Sequence, residues 1–211
     1  MTLDRFRSVG DRLFEPVVDT AEAIGLTANG VSVIAFVLAV AASVLYLFAG
    51  GAFDAGGPVL YLAGAALVGV NGVLDAIDGT LARRRGTESA AGDLLDHVLD
   101  RYADIVIIAG LAGGVGRYAL GLAAVTGVLM TSYLGTQAQA VGLERVYGGL
   151  VGRADRLVIV VLVTAVAAFL PGPLGGLTLV GWLLVFFAAV GHLTAIRSEE
   201  RRVGKECIVK C

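Results

Sequence analysis

"LDAIDGTLARRRGTESAAGDLLDHVLD", Leu74 to Asp100, lies between two long apolar runs and carries five aspartates and one glutamate in 27 residues. Carboxylates are costly to place in or beside a membrane, so something polar or cationic must meet them. Asp75 and Asp78 are three residues apart near the end of one apolar run. On a helix they share a face, about 60° apart. Asp96 and Asp100 are four apart at the start of the next run and share a face too. Asp93 and Asp104 can extend that stripe. Paired antiparallel, the two helix ends bring Asp75, Asp78, Asp96 and Asp100 face to face. Four close carboxylates cannot all remain ionised without cations. Arg83, in the basic connector, can neutralise one of them. One or two divalent cations complete the balance, and all-oxygen ligands favour hard ions, Mg²⁺ or Mn²⁺. Such ions, held by carboxylates, serve phosphate substrates and can stabilise both the attacking and the leaving oxygen.

The remainder of the chain reads as lipid-embedded. Its 211 residues are 57% hydrophobic and only 16% charged, with a mean hydropathy of +0.83. That excludes an ordinary soluble domain, and no nucleic-acid partner is expected. Six apolar runs are long enough to be spanning helices: Val31 to Ala49, Pro58 to about Ala82, Gly92 to Gly114, Tyr118 to Ala140, Leu157 to Leu170 and Leu174 to Ile196. The connections alternate in charge. Arginines sit before the first run (Arg5, Arg7, Arg12), in the second loop (Arg83 to Arg85) and in the fourth (Arg145, Arg153, Arg156). The first and fifth loops have none. Basic loops mark the cytoplasmic side, so both termini and the acidic stretch face the cytoplasm of a multi-pass plasma-membrane protein. Ahead of the first run, Leu3, Phe6, Val9, Leu13, Val17 and Ile24 recur at near-helical spacing, which predicts an amphipathic interfacial helix. Pro16 is expected to kink or break it.

The expected fold is therefore an all-α membrane protein. Residues 1–30 form an amphipathic segment, residues 31–196 a six-helix domain, and residues 197–211 a tail of different origin. The only lysines, Lys205 and Lys210, and the only cysteines, Cys207 and Cys211, fall in that tail. "RSEERRVGKEC", Arg197 to Cys207, reads like the in-frame translation of a sequencing adapter, so the tail is set aside as non-native. The arginine-only, Gly-, Ala-, Val- and Asp-rich remainder suggests a GC-rich genome, such as that of an archaeon.

Asp75-Ala-Ile-Asp78-Gly79-Thr-Leu-Ala82-Arg83, followed after eight residues by Gly92-Asp-Leu-Leu-Asp96-His-Val-Leu-Asp100, resembles the full signature of the CDP-alcohol phosphatidyltransferases. Every motif position matches in type and spacing. Asn29 and Ser32 in "LTANGVS" resemble the family's entry to the first span, with Ala28 where the family has proline. The resemblance implies transfer of a phosphatidyl-type or archaetidyl group from a CDP-linked lipid to the hydroxyl of a polar alcohol, with release of CMP. It implies that Asp75, Asp78 and Asp96 bind the metal ions, with Asp100 sharing them and acting as the base. It further implies that Gly79, Ala82, Arg83, Gly92 and Asn29 form the CDP pocket, and that the enzyme is a homodimer.

The acceptor is less defined. Arg153 and Arg156, three apart in "GRADRL", suit a phosphate, and that stretch resembles the inositol-phosphate branch. Positive-inside topology also needs arginines there. Against that branch, Ser132-Tyr133 is followed by Leu134-Gly135-Thr136-Gln137, without the branch's basic side chains. Glycerol phosphate and inositol phosphate are the favoured acceptors. His97 and His192 read as packing or interface residues. Two other classes compete. An intramembrane prenyltransferase would use Asn71, Asp75 and Asp78 but leave Gly92, Asp96 and Asp100 without a role. A cation transporter would place its carboxylates at broken helices near the bilayer midplane.

Overall fold

The structure is a computed structural model that describes residues 7–52, 56–140 and 151–209; side-chain surroundings are described within 15–196. Most of the N-terminal basic cluster, Arg145 and the side chains of the tail lie outside the described residues. Among the described residues seven helices follow one another: α1 (Arg7–Ala23), α2 (Ala28–Ala49), α3 (Pro58–Arg85), α4 (Ala90–Gly114), α5 (Tyr118–Ala140), α6 (Arg153–Ala167) and α7 (Leu179–Val209). The chain is an all-helical, multi-pass membrane protein. Among the described residues, α2, α3, α5 and α7 contain stretches long and apolar enough to cross a bilayer. The two other expected spans differ for physical reasons. α4 has the length, but Asp93, Asp96, Asp100, Arg101 and Asp104 load its first half with charge. α6 has 15 residues, about 22 Å at 1.5 Å per residue, short of a hydrocarbon core about 30 Å thick.

Local chemistry sets the helix ends. Thr27 caps α2 by accepting from Gly30 N–H at 3.1 Å, and Ser89 caps α4 by accepting from Gly92 N–H at 3.1 Å. Each cap contributes about 1 kcal/mol. α3 stops at Gly86, which takes the left-handed conformation (φ 60°) that returns Thr87 N–H to Ala82 O at 3.1 Å. α7 begins at Leu179, later than the expected Leu174. Gly175 and Gly176, at φ 60° and 90°, turn the chain there, and the Trp182 indole donates back to Leu174 O at 2.8 Å.

α2 is the central post, packed against both α3 and α4; α5 pairs with α7, and α3 with α6. Small residues permit the close approach. A Cβ on Gly114 would run into the Tyr46 carbonyl, and one on Gly110 into the Ser43 carbonyl. Buried polar contacts pin the same seams. Ser43 donates to Val106 O at 2.6 Å, Asn71 to Ala35 O at 2.7 Å, and Tyr46 pairs with Thr164 at 3.0 Å.

α1 lies across the end of α3. Val18 and Ala21 join Val31, Ile77 and Leu81 in a separate apolar cluster. Arg84 pairs with Glu15 (3.2 Å) and Asp19 (2.7 Å), and Arg85 donates to Glu22 O at 3.2 Å. The helix continues through Pro16 without the expected break. Proline forfeits one main-chain hydrogen bond there, while these contacts hold the turns that follow.

Candidate active site

The last turns of α3 and the first turns of α4 each pack against α2 rather than against one another, and their side chains meet beside its start. Asp75, Asp78 and Asp96 each bring a carboxylate oxygen within 4.8 Å of the others. Asp78 is buried; it accepts from Ser32 Oγ at 2.7 Å and from Gly79 N–H at 2.6 Å. These bonds fix one ligand's orientation, as outer-shell partners do at metal centres. Three carboxylates on two rigid helices offer an all-oxygen donor set of the kind hard divalent ions take, so the cluster can bind a metal ion.

Asp100 stands one turn beyond Asp96 and is engaged by arginines. Arg153 crosses from the first turn of α6 to hold Asp100 Oδ1 at 2.8 Å, and its other amino group contacts Asp75. Arg101 lies 3.8 Å from Asp100 Oδ2. Burial works against the charge of Arg153, but Asp75, Asp100 and Asp104 outweigh it and hold the guanidinium above its ordinary pKa. Asp104 faces away from the three-carboxylate cluster. It accepts from Arg156 at 2.6 Å, and Arg101 lies 3.5 Å from the same oxygen. Arg101 also donates to Ser132 on α5. Both Arg153 and Arg156 keep a buried Nε–H with no hydrogen-bond partner.

Beside the carboxylates a cavity of about 320 Å³ opens. The start of α2 contributes Thr27, Asn29 and Ser32; the end of α3, Asp78, Gly79, Ala82 and Arg85; the start of α4, Ser89, Gly92 and Asp96. The N-termini of two helices, α2 and α4, therefore border one hollow, an arrangement that favours anions. Gly92 keeps it open: a Cβ there would sit 3.2 Å from Asn29 Oδ1.

Asn29, Gly79, Ala82 and Gly92 line this cavity. Arg83 is exposed, donates to Thr80 at 3.0 Å, and lies over Gly79 without lining the hollow. Arg85 lines it instead. The signal was present, since Asp78, Ala82 and Arg85 follow an i, i+4, i+7 stripe. Arg153 reaching Asp75 and Asp100 was not expected, and neither was the Arg101–Ser132 contact. Exposed His97 bonds its own helix at Asp93 O (2.8 Å), and half-buried His192 meets Ala123 O on α5 at 3.2 Å.

Known proteins resemble this chain in sequence and fold. The sequence profile of the CDP-alcohol phosphatidyltransferases matches residues 25–194. The archaetidylinositol phosphate synthase of Methanothermobacter thermautotrophicus is 34% identical over 200 residues, covering 92% of this chain and 91% of its own. A crystal structure of Mycobacterium tuberculosis phosphatidylinositol phosphate synthase with CDP-DAG bound superposes with a TM-score of 0.73 at 24% identity, covering 90% of this chain and 92% of that one. A second structure of that enzyme, in complex with manganese and citrate, gives a TM-score of 0.69 at 26% identity over 87% of each chain. The chain belongs to the CDP-alcohol phosphatidyltransferase family, and it is an enzyme of phospholipid biosynthesis.

Proposed function

We propose that this enzyme transfers the phosphatidyl-type group of a CDP-linked lipid, archaetidyl or phosphatidyl, to the hydroxyl of inositol phosphate and releases CMP. One observation carries the choice of acceptor. Half-buried Arg153, at the carboxylate cluster, and buried Arg156, one turn further along α6 at Asp104, each keep an Nε–H with no hydrogen-bond partner, donors that a phosphate-bearing acceptor can use. The inositol phosphate synthases among its relatives support the same reading. The basic residues missing after Ser132-Tyr133 argued against it from sequence, but Arg101 brings a guanidinium to Ser132 from α4.

In this reading Asp75, Asp78 and Asp96 hold one or two Mg²⁺ or Mn²⁺ ions, with Asp100 able to share. When bound, the ions would spread the charge of the pyrophosphate and stabilise the departing CMP. The N-termini of α2 and α4 meet the phosphates of the donor, while Asn29, Gly79, Ala82 and Gly92 receive the nucleotide in the hollow and Arg83, outside its lining, would have to swing from Thr80 to reach it. Gly92 and Gly79 leave room at the helix surface. Asp100 takes the proton of the acceptor hydroxyl, which is a poor nucleophile until deprotonated. Arg153 and Arg156 grip the acceptor phosphate.

Charge supports a divalent cofactor. Asp75, Asp78, Asp96 and Asp100 outnumber Arg101 and Arg153, the guanidiniums that approach them, and the excess negative charge calls for a cation. We further propose that α4 and α6 complete a six-span domain with the site on the cytoplasmic side, that α1 lies in that interface, and that the enzyme acts as a homodimer. Residues 197–211 are read as foreign to it; genomic DNA around codon 197 checks that.

The test is CMP release by purified protein with Mn²⁺, a CDP-linked lipid, and inositol phosphate, glycerol phosphate, serine or free inositol in turn. Inositol phosphate should give the highest kcat/KM. A higher value for glycerol phosphate or serine would refute the acceptor assignment.

A further inference from the structure

Arg153 makes contacts that acceptor binding alone does not explain. From the first turn of α6 it touches Asp75 with one amino group and holds Asp100 Oδ1 at 2.8 Å with the other. The proposed reaction claims both carboxylates, Asp75 for the cation and Asp100 for cation and proton. A guanidinium at Asp75 Oδ1 and Asp100 Oδ1 shares those carboxylates with any divalent ion and, as a like charge at contact distance, opposes its binding. Yet the guanidinium is not saturated. Its side chain is 13% exposed, and its Nε–H has no acceptor. It is a strong counter-charge with a donor to spare.

We propose that Arg153 is an exchangeable counter-ion: it competes with the divalent cation for Asp75 and Asp100, and cation loading releases it to grip the phosphate of the acceptor. This rests on the phosphate-bearing acceptor proposed above. The residue type suits the role. A planar guanidinium can bridge two carboxylates and later present two parallel N–H groups to a phosphate, which an ammonium cannot do. The exchange also orders events. A guanidinium clamped between two carboxylates has little net attraction for a phosphate, and one released has its full charge. The acceptor would then be gripped firmly only once the cation is in place.

The test measures cation binding by the full-length protein in lipid nanodiscs without donor or acceptor, following free Mn²⁺ by electron paramagnetic resonance. Arg153→Gln should bind Mn²⁺ at least about tenfold more tightly than the unmodified protein, because a competing charge at contact distance is gone. Arg153→Lys should fall between the two. Equal or weaker Mn²⁺ binding by Arg153→Gln would overturn the proposal. Should that variant fail to fold, ¹⁵N-arginine labelling of the unmodified protein decides. A guanidinium signal absent from the Arg153→Lys spectrum should move in step with added Mg²⁺, and an unmoved signal overturns the exchange. Neither measurement contains an acceptor, so a failure of the inositol phosphate reading and a failure of this one are read separately.

Discussion

Neutralising Asp104 should destabilise the helix bundle far more than neutralising any surface acid. Asp104 and Arg156 are 5% and 7% exposed, with 2.6 Å between Arg156 Nη2 and Asp104 Oδ2. Replacing Asp104 with Leu removes the carboxylate that Arg156 donates to and leaves a buried guanidinium near Arg101, another cation. Removing one partner of such a pair costs about 3–5 kcal/mol, two to four decades in the unfolding equilibrium. Arg156→Met should cost somewhat less, because Arg101 remains 3.5 Å from Asp104. The double variant Asp104→Leu/Arg156→Met removes both charges and should recover most of the loss, giving a coupling energy of about 2 kcal/mol or more. The assay is reversible unfolding in mixed micelles with increasing SDS, followed by helix signal. A double variant whose cost equals the sum of the two single costs would refute the reasoning, as would single costs below about 1 kcal/mol.

Three further outcomes follow from named contacts. Ser32→Ala removes the 2.7 Å bond that orients Asp78 and should weaken Mn²⁺ affinity by about 10- to 100-fold, read by the same paramagnetic titration. Gly92→Val pushes a branched side chain toward Asn29 Oδ1, 3.2 Å from where its Cβ would lie; it should raise KM for the CDP-lipid by about tenfold or more with little change in SDS resistance. Gly114→Leu drives a side chain into the Tyr46 carbonyl and should cost at least about 1–3 kcal/mol of bundle stability in the SDS assay.

Much of the site was legible because it follows local periodicity. Asp75 with Asp78, and Asp96 with Asp100, lie on shared helix faces whatever the tertiary packing, and Gly79, Ala82 and Gly92 ride on the same turns. Contacts from elsewhere in the chain were not legible. Arg153 reaches Asp75 from 78 residues away and Arg156 reaches Asp104 from 52 away, and no helical spacing encodes such distances. Arg85 was readable on the stripe from Asp78 and was passed over for the motif arginine. Apolar length located the helices, while their ends depended on caps at Thr27 and Ser89 and on the Gly175–Gly176 turn. The span count departs where composition and helix length part company. α4 is charged over its first half, and α6 is short although its buried face joins the common core. Pro16 shows tertiary contacts overriding a local breaker.

The central claim is that the carboxylates of α3 and α4 form a divalent-cation centre for transfer from a CDP-linked lipid. Its most direct test is CMP release with CDP-lipid and inositol phosphate as Mn²⁺ is titrated from zero, for the unmodified enzyme and for Asp78→Asn. The account predicts no release without the divalent cation, saturable release with it, and a fall of at least about 100-fold for Asp78→Asn even at saturating Mn²⁺. Cation-independent release, or an Asp78→Asn enzyme as active as the unmodified one, would contradict it.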